Sequence, residues 1–251
     1  MLGKLLKYEF KATGRILLPL YGLMIITALI AGLTLGPDAG TVSAIITMIF
    51  VGIAVASMVM TLIITIQRFS NNLLTDEGYL MFTLPVSTAN LIISKLIAAV
   101  CWFIVGTLAG FVSGLAISVR AIDWLQIGDF FQALGHMFNL ITAGDVLLML
   151  ELILCVIVSY GVFVLAIYLS LSIGQLPFAG KHRKGASLLA FFGIYIIYMV
   201  VSAILGNIFD GVHLQLPDTA LFGLALLVEI VVAGLLFFAT HFILDKHLNL
   251  E

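Results

Sequence analysis

Six stretches of this chain, at about 16–35, 43–66, 91–119, 146–173, 188–208 and 219–244, are apolar for long enough to cross a lipid bilayer. A hydrocarbon core about 30 Å thick takes roughly 20 residues of helix. Inside it every backbone N–H and C=O must be satisfied within a helix or a closed barrel. Barrel strands alternate polar and apolar residues over about ten positions, and these runs do not alternate, so they predict helices. The second, third and fourth runs exceed the minimum, which predicts tilt or extension beyond the lipid. No soluble domain fits between the runs, and no internal repeat relates the first three to the last three. The expected fold class is therefore an all-α integral membrane protein, with residues 1–251 forming one domain of six transmembrane helices.

Composition agrees with this reading. Hydrophobic residues make up 63% of the chain and charged residues 10%, whereas charged residues form about a quarter of an ordinary soluble domain. A net charge of −2 says little until the charges are placed relative to the spans, and no nucleic-acid partner is expected. Lys4, Lys7, Lys11 and Arg15 precede the first span. Arg68 and Lys95 flank the second connection, Lys181, Arg183 and Lys184 fall in the fourth, and Lys246 follows the last span. Only Arg120 falls on the opposite side. Basic residues are retained on the cytoplasmic face, so both termini and the segment 67–90 are expected in the cytoplasm of a multi-pass membrane protein. Cys101 and Cys155 lie inside apolar runs, where free cysteines act as small packing residues.

Two segments outside the spans are amphipathic. Leu2, Leu5, Leu6 and Phe10 share a helical face with the lysines largely elsewhere, which predicts an interfacial elbow helix over 1–15; a basic flank that only sets topology accounts for the same residues. The first turns of the span that follows contain Pro19, where proline is tolerated or kinks the helix. Over 120–145, Ile127, Phe130, Phe131, Leu134, Phe138 and Ile141 recur at helical spacing behind Trp124. They predict an outer interfacial segment, either a lipid-facing cover or part of an exit gate.

Enzymatic chemistry finds little support. No GxxxxGK[ST] loop is present to cradle a nucleotide, the five histidines are scattered against a zinc site, and no spaced group pairs a nucleophile with a base. Neither a catalytic residue nor a bound cofactor or metal is expected in this chain. Two carboxylates stand out instead, Glu229 near the middle of the sixth span and Glu151 in the fourth. A charged side chain at mid-bilayer costs about 2.5–3.5 kcal/mol on insertion scales, so each is expected to face protein or water. One reading makes them contacts for a cationic substrate or steps of a proton relay. The other pairs them with Tyr, Ser or Asn on neighbouring helices, Tyr160, Tyr195, Tyr198 and Asn207 among them. Glu229, Glu151, Tyr195, Tyr198 and Asn207 are accordingly the candidate substrate pathway.

The second connection is the most specific feature. Asp76, Glu77 and Gly78 break a helical run, Tyr79, Leu80, Met81, Phe82 and Leu84 form an apolar cluster, Pro85 forces Leu84 out of the helical region, and Ser87 can cap a new helix. So short a segment has no core of its own. Its apolar side chains therefore need either the membrane interface or a groove on another protein.

The run Asp76-Glu77-Gly78-Tyr79-Leu80-Met81-Phe82-Thr83-Leu84-Pro85-Val86-Ser87 resembles a segment of the permease subunits of bacterial ATP-binding-cassette exporters of the ABC-2 type, especially those of Gram-positive bacteria. The basic start, the six spans and a Gly174-Gln175-Leu176 inner loop are similar as well. The resemblance implies a half-size permease that pairs with a second copy of itself and binds two copies of a separate ATPase subunit, which would carry the ATP and magnesium. It further implies a cytoplasmic coupling helix between the second and third spans, with Tyr79, Leu80, Met81 and Phe82 as the plug and Asp76 and Glu77 as polar contacts. The cargo it implies is an amphipathic peptide such as a toxin, bacteriocin or antimicrobial peptide. One departure is the short outer connection between the fifth and sixth spans, where many such permeases carry their larger outer element. The alternative is a proton-coupled secondary transporter using Glu229 and Glu151, and a third class is a membrane protein that binds peptide without ATP-dependent flux.

Overall fold

The computed structural model describes residues 2–35, 40–74, 86–118, 132, 135, 142–177, 182–211 and 218–246, with the side chains of 208–211 and 218 outside the description. The outer interfacial segment expected over 120–145, apart from 132, 135 and 142–145, and the segment 75–85 also lie outside it. Among the described residues there are six long helices and no strand. They are α1 (Leu2–Thr34), α2 (Thr41–Leu73), α3 (Thr88–Ser118), α4 (Ala143–Ile173), α5 (Arg183–Gly211) and α6 (Asp218–Lys246). All six are long and apolar enough to cross a membrane. Each begins before the apolar run predicted for it, because polar flanks remain helical once they leave the hydrocarbon.

The basic start does not form a separate element. Helix α1 runs unbroken from Leu2 to Thr34 and contains Pro19, so no break divides residues 2–15 from the span that follows.

The contacts divide the chain into two compact units. One comprises Gly3–Thr65 and Val100–Thr142. Its core is Leu17, Tyr21, Met24, Ile64, Trp102 and Ala109, with Phe10 and Phe50 packed against it. A chain of polar groups runs through this core. The Trp102 indole N–H donates to Thr13 Oγ1 at 2.7 Å, and Thr13 donates in turn to the Glu9 carbonyl at 2.7 Å. Thr61 uses its proton on the Ser57 carbonyl, so at the 2.8 Å contact between Tyr21 and Thr61 the phenol is the donor. Polar groups shielded from water must find partners inside the protein, and this chain satisfies each in turn. At the other end of α1, a Cβ on Gly32 would meet the Ala116 carbonyl oxygen and come within 2.8 Å of Ile117 Cα. With Ala28 and Ala31 also buried, small residues let α1 and α3 approach backbone to backbone.

The second unit comprises Met1–Leu2, Ile66–Ala99 and Ala143–Glu251. Here α4 packs against both α5 and α6. The end of α2 is held by a stacked ring pair, Phe69 on Tyr168, with centroids 3.9 Å apart and planes 8° from parallel. Thr88, at the start of α3, donates to Asp245 on α6 at 3.3 Å. The turn after α4 closes with 3.1 Å bonds from the amides of Gly174, Gln175 and Leu176 to Ser170, Ser172 and Ile173. A Cβ on Gly174 would strike the Ser187 hydroxyl and come within 2.8 Å of the Arg183 carbonyl. Glycine there lets α5 start tightly against the end of α4, and Arg183 donates back to the Gln175 side chain at 3.2 Å.

Candidate functional site

The second unit carries a polar seam between α4 and α6. Glu151, Cys155 and Ser159 recur every fourth residue and so share one face of α4. Ser159 Oγ donates to Glu229 Oε1 at 2.5 Å. Cys155 Sγ points to the Phe222 carbonyl at 3.9 Å. The second oxygens of Glu151 and Glu229 are buried without a hydrogen-bond partner, as is Nδ1 of His241, whose ring stacks on Phe237 at 6.5 Å.

Beside this seam, α4, α5 and α6 leave a groove in two connected parts. The smaller, about 250 Å³, is lined by Glu229 with Tyr198, Ser202, Leu205, Leu224 and Val228 among others. The larger, about 500 Å³, is lined by Ser159, Phe163, Phe191, Tyr195, Tyr198 and Leu235 among others. The two parts share Tyr198, Val201 and Val232. Each helix contributes a stripe at three- and four-residue steps, such as 191, 194, 195, 198, 201 and 202 on α5, as an amphipathic face requires. A concave, mainly apolar space of several hundred Å³ with few polar groups is the usual form of a small-molecule site.

Of the candidate pathway residues, Glu229, Tyr195 and Tyr198 come together at this groove. Glu151 lies along α4 from Ser159 and does not line it, and Asn207 is exposed on α5 and does not line it either. The partner of Glu229 is Ser159, which the sequence reading did not single out. Its signal was the four-residue repeat of polar positions 151, 155 and 159 in an otherwise apolar run.

The coupling candidates Asp76, Glu77, Gly78, Tyr79, Leu80, Met81, Phe82, Leu84 and Pro85 lie outside the described residues. Their flanks are described. The end of α2 buries Phe69, Leu73 and Leu74 almost completely, and the start of α3 buries Leu91 and Ile92. Among the described residues, no group of three or more His, Cys, Asp or Glu side chains is arranged to hold a metal ion. Compared with known proteins, the chain matches no family model, no curated protein and no solved structure.

Proposed function

We propose that this chain is the membrane-spanning subunit of an ATP-driven exporter of the ABC-2 type, working as a homodimer with two separate ATPase subunits in the bacterial cytoplasmic membrane. The observation that carries the reading is the segment 76–87, which resembles the coupling region of such permeases and connects the second and third of six membrane-capable helices. In this reading Tyr79, Leu80, Met81 and Phe82 fill a cleft of the ATPase, and that burial accounts for an apolar cluster with no core of its own. Closure of the ATPase dimer on ATP then moves the cytoplasmic end of α2. That end is stacked on α4 through Phe69 and Tyr168, and α4 carries Ser159 at the groove. A stiff helix end joined to the groove-bearing helix gives the displacement a physical route. The cargo in this reading is an amphipathic peptide, as the resemblance implies. ATP hydrolysis belongs to the partner.

The test is co-reconstitution of the full chain with an ATP-binding-cassette ATPase of its own genome into liposomes, with uptake of a labelled amphipathic peptide followed on adding ATP. ATP-dependent flux that neither protein supports alone is the expected result. Flux driven by an imposed proton gradient without any ATPase favours the second reading, a proton-coupled secondary transporter. The observation behind that reading is the pair of buried, unpartnered carboxylate oxygens on Glu151 and Glu229.

A further inference from the structure

The chemistry of the groove restricts its ligand more closely than the resemblance does. Among the described residues its lining is apolar except for Glu229, Ser159, Ser202 and two tyrosines, and no basic side chain contributes to it. Ser159 engages one Glu229 oxygen. The other is buried with no partner, a state that costs free energy until a cation or a proton arrives. Tyr198 on α5 and Glu229 on α6 line the same smaller part of the groove, and Tyr198 also lines the larger part, where Phe163 and Phe191 meet edge to face with centroids 6.1 Å apart. A carboxylate and an aromatic ring lining one apolar space are a combination that suits a poorly hydrated cation.

We propose that this groove binds lipophilic monovalent cations, with the charged centre between Glu229 and the Tyr198 ring and the apolar body along Phe163, Phe191 and Tyr195. Other occupants fit the chemistry less well. An anion meets the carboxylate, and a polyol leaves most of its hydroxyls unpaired against aliphatic side chains. A lipid chain fills the space but leaves the Glu229 oxygen without a partner. Among the described residues a dication finds a single carboxylate in the lining. The inference concerns the groove alone and does not rest on coupling to an ATPase, so it stands or falls separately from the export reading.

The experiment is equilibrium binding of radiolabelled tetraphenylphosphonium to the full chain in nanodiscs of zwitterionic lipid, with tetraphenylborate as a probe of nearly the same shape and opposite charge. Empty nanodiscs give the background of membrane partition. Saturable binding of about one phosphonium per chain, displaced by dodecyltrimethylammonium and absent for the borate, is the expected result. Glu229→Gln should weaken it at least about thirtyfold, since removing one member of a buried charge pair costs about that much, while Glu151→Gln changes it less than threefold. Val201→Trp places an indole where the two parts of the groove meet and should abolish binding with Glu229 intact. It therefore tests the location even if the Glu229 variant fails to fold. Equal saturable binding of both ions, no saturable binding of the phosphonium, or full affinity in Glu229→Gln or Val201→Trp each overturns the proposal.

Discussion

Replacing Glu229 separates a residue kept for function from one kept for structure. If the carboxylate is there to meet a ligand, it is a liability in the empty protein, and a leucine in its place should make the fold more stable. The terms can be set side by side. Removing an ionised group from mid-span relieves about 2.5–3.5 kcal/mol on insertion scales. Against this stands the bond from Ser159 at 2.5 Å, since side-chain hydrogen bonds between membrane helices contribute about 0.6 kcal/mol on average and about 1.7 at most. The Ser159 hydroxyl freed by the change can turn to a carbonyl of its own helix, and the unpartnered Glu229 oxygen disappears altogether. Glu229→Leu is therefore expected to stabilise the protein by about 1–3 kcal/mol. Glu229→Gln should fall between the two, because it removes the charge but leaves an unpaired amide group in place of the orphan oxygen. Reversible unfolding in mixed dodecylmaltoside and SDS micelles measures the order directly, and loss of phosphonium binding in both variants completes the pattern. Destabilisation of Glu229→Leu by more than about 1.7 kcal/mol, the largest bond of this kind, would refute the reasoning and make the carboxylate a structural strut.

Other expectations rest on other parts of the molecule. Gly32→Ala places a methyl group against the backbone of Ala116 and Ile117, which cannot yield as a side chain can, so it should lower stability by about 1–3 kcal/mol in the same micelle assay; an unchanged midpoint would mean α1 and α3 are not in close contact there. Phe69→Leu removes the 3.9 Å stack on Tyr168 at about 0.5–1.5 kcal/mol, and in the co-reconstituted system it should reduce flux per ATP hydrolysed while ATPase binding persists. Undiminished flux would remove α2 and α4 from the coupling route. With Cys101 and Cys155 replaced by serine, a cysteine at Gly40 should react with an impermeant maleimide from outside intact cells and one at Asn71 only after lysis. The reverse pattern would overturn the orientation drawn from the basic residues.

The spans were legible because the demand of the bilayer is one-dimensional. Long apolar runs such as 219–244 have no alternative to crossing as helices, and the helices lie where those runs predict. Their starts were less legible, since Thr41 and Thr88 stay helical on local backbone bonds that hydropathy does not register. The elbow expected over 1–15 followed from the face shared by Leu2, Leu5, Leu6 and Phe10, but nothing in those residues compels a break, and α1 continues through Arg15. At the site, Glu229 announces itself as a carboxylate in an apolar span. Its bond to Ser159 does not, because which faces of α4 and α6 meet depends on long-range packing, and serine is common in membrane helices as a residue that bonds its own backbone. For the same reason Tyr198 and Tyr195 reach the groove while Asn207, further along the same helix, does not line it.

The most direct test of the export reading is whether the segment 76–87 recruits an ATPase. The tagged full chain is co-expressed with each ATP-binding-cassette ATPase of its genome, solubilised and purified, as wild type and as the Tyr79→Ala, Phe82→Ala double variant. The account predicts a stable complex with one such ATPase, lost in the double variant while the six-helix fold and its phosphonium binding persist. A wild-type chain that retains none of these ATPases, or a double variant that retains its ATPase undiminished, would contradict it.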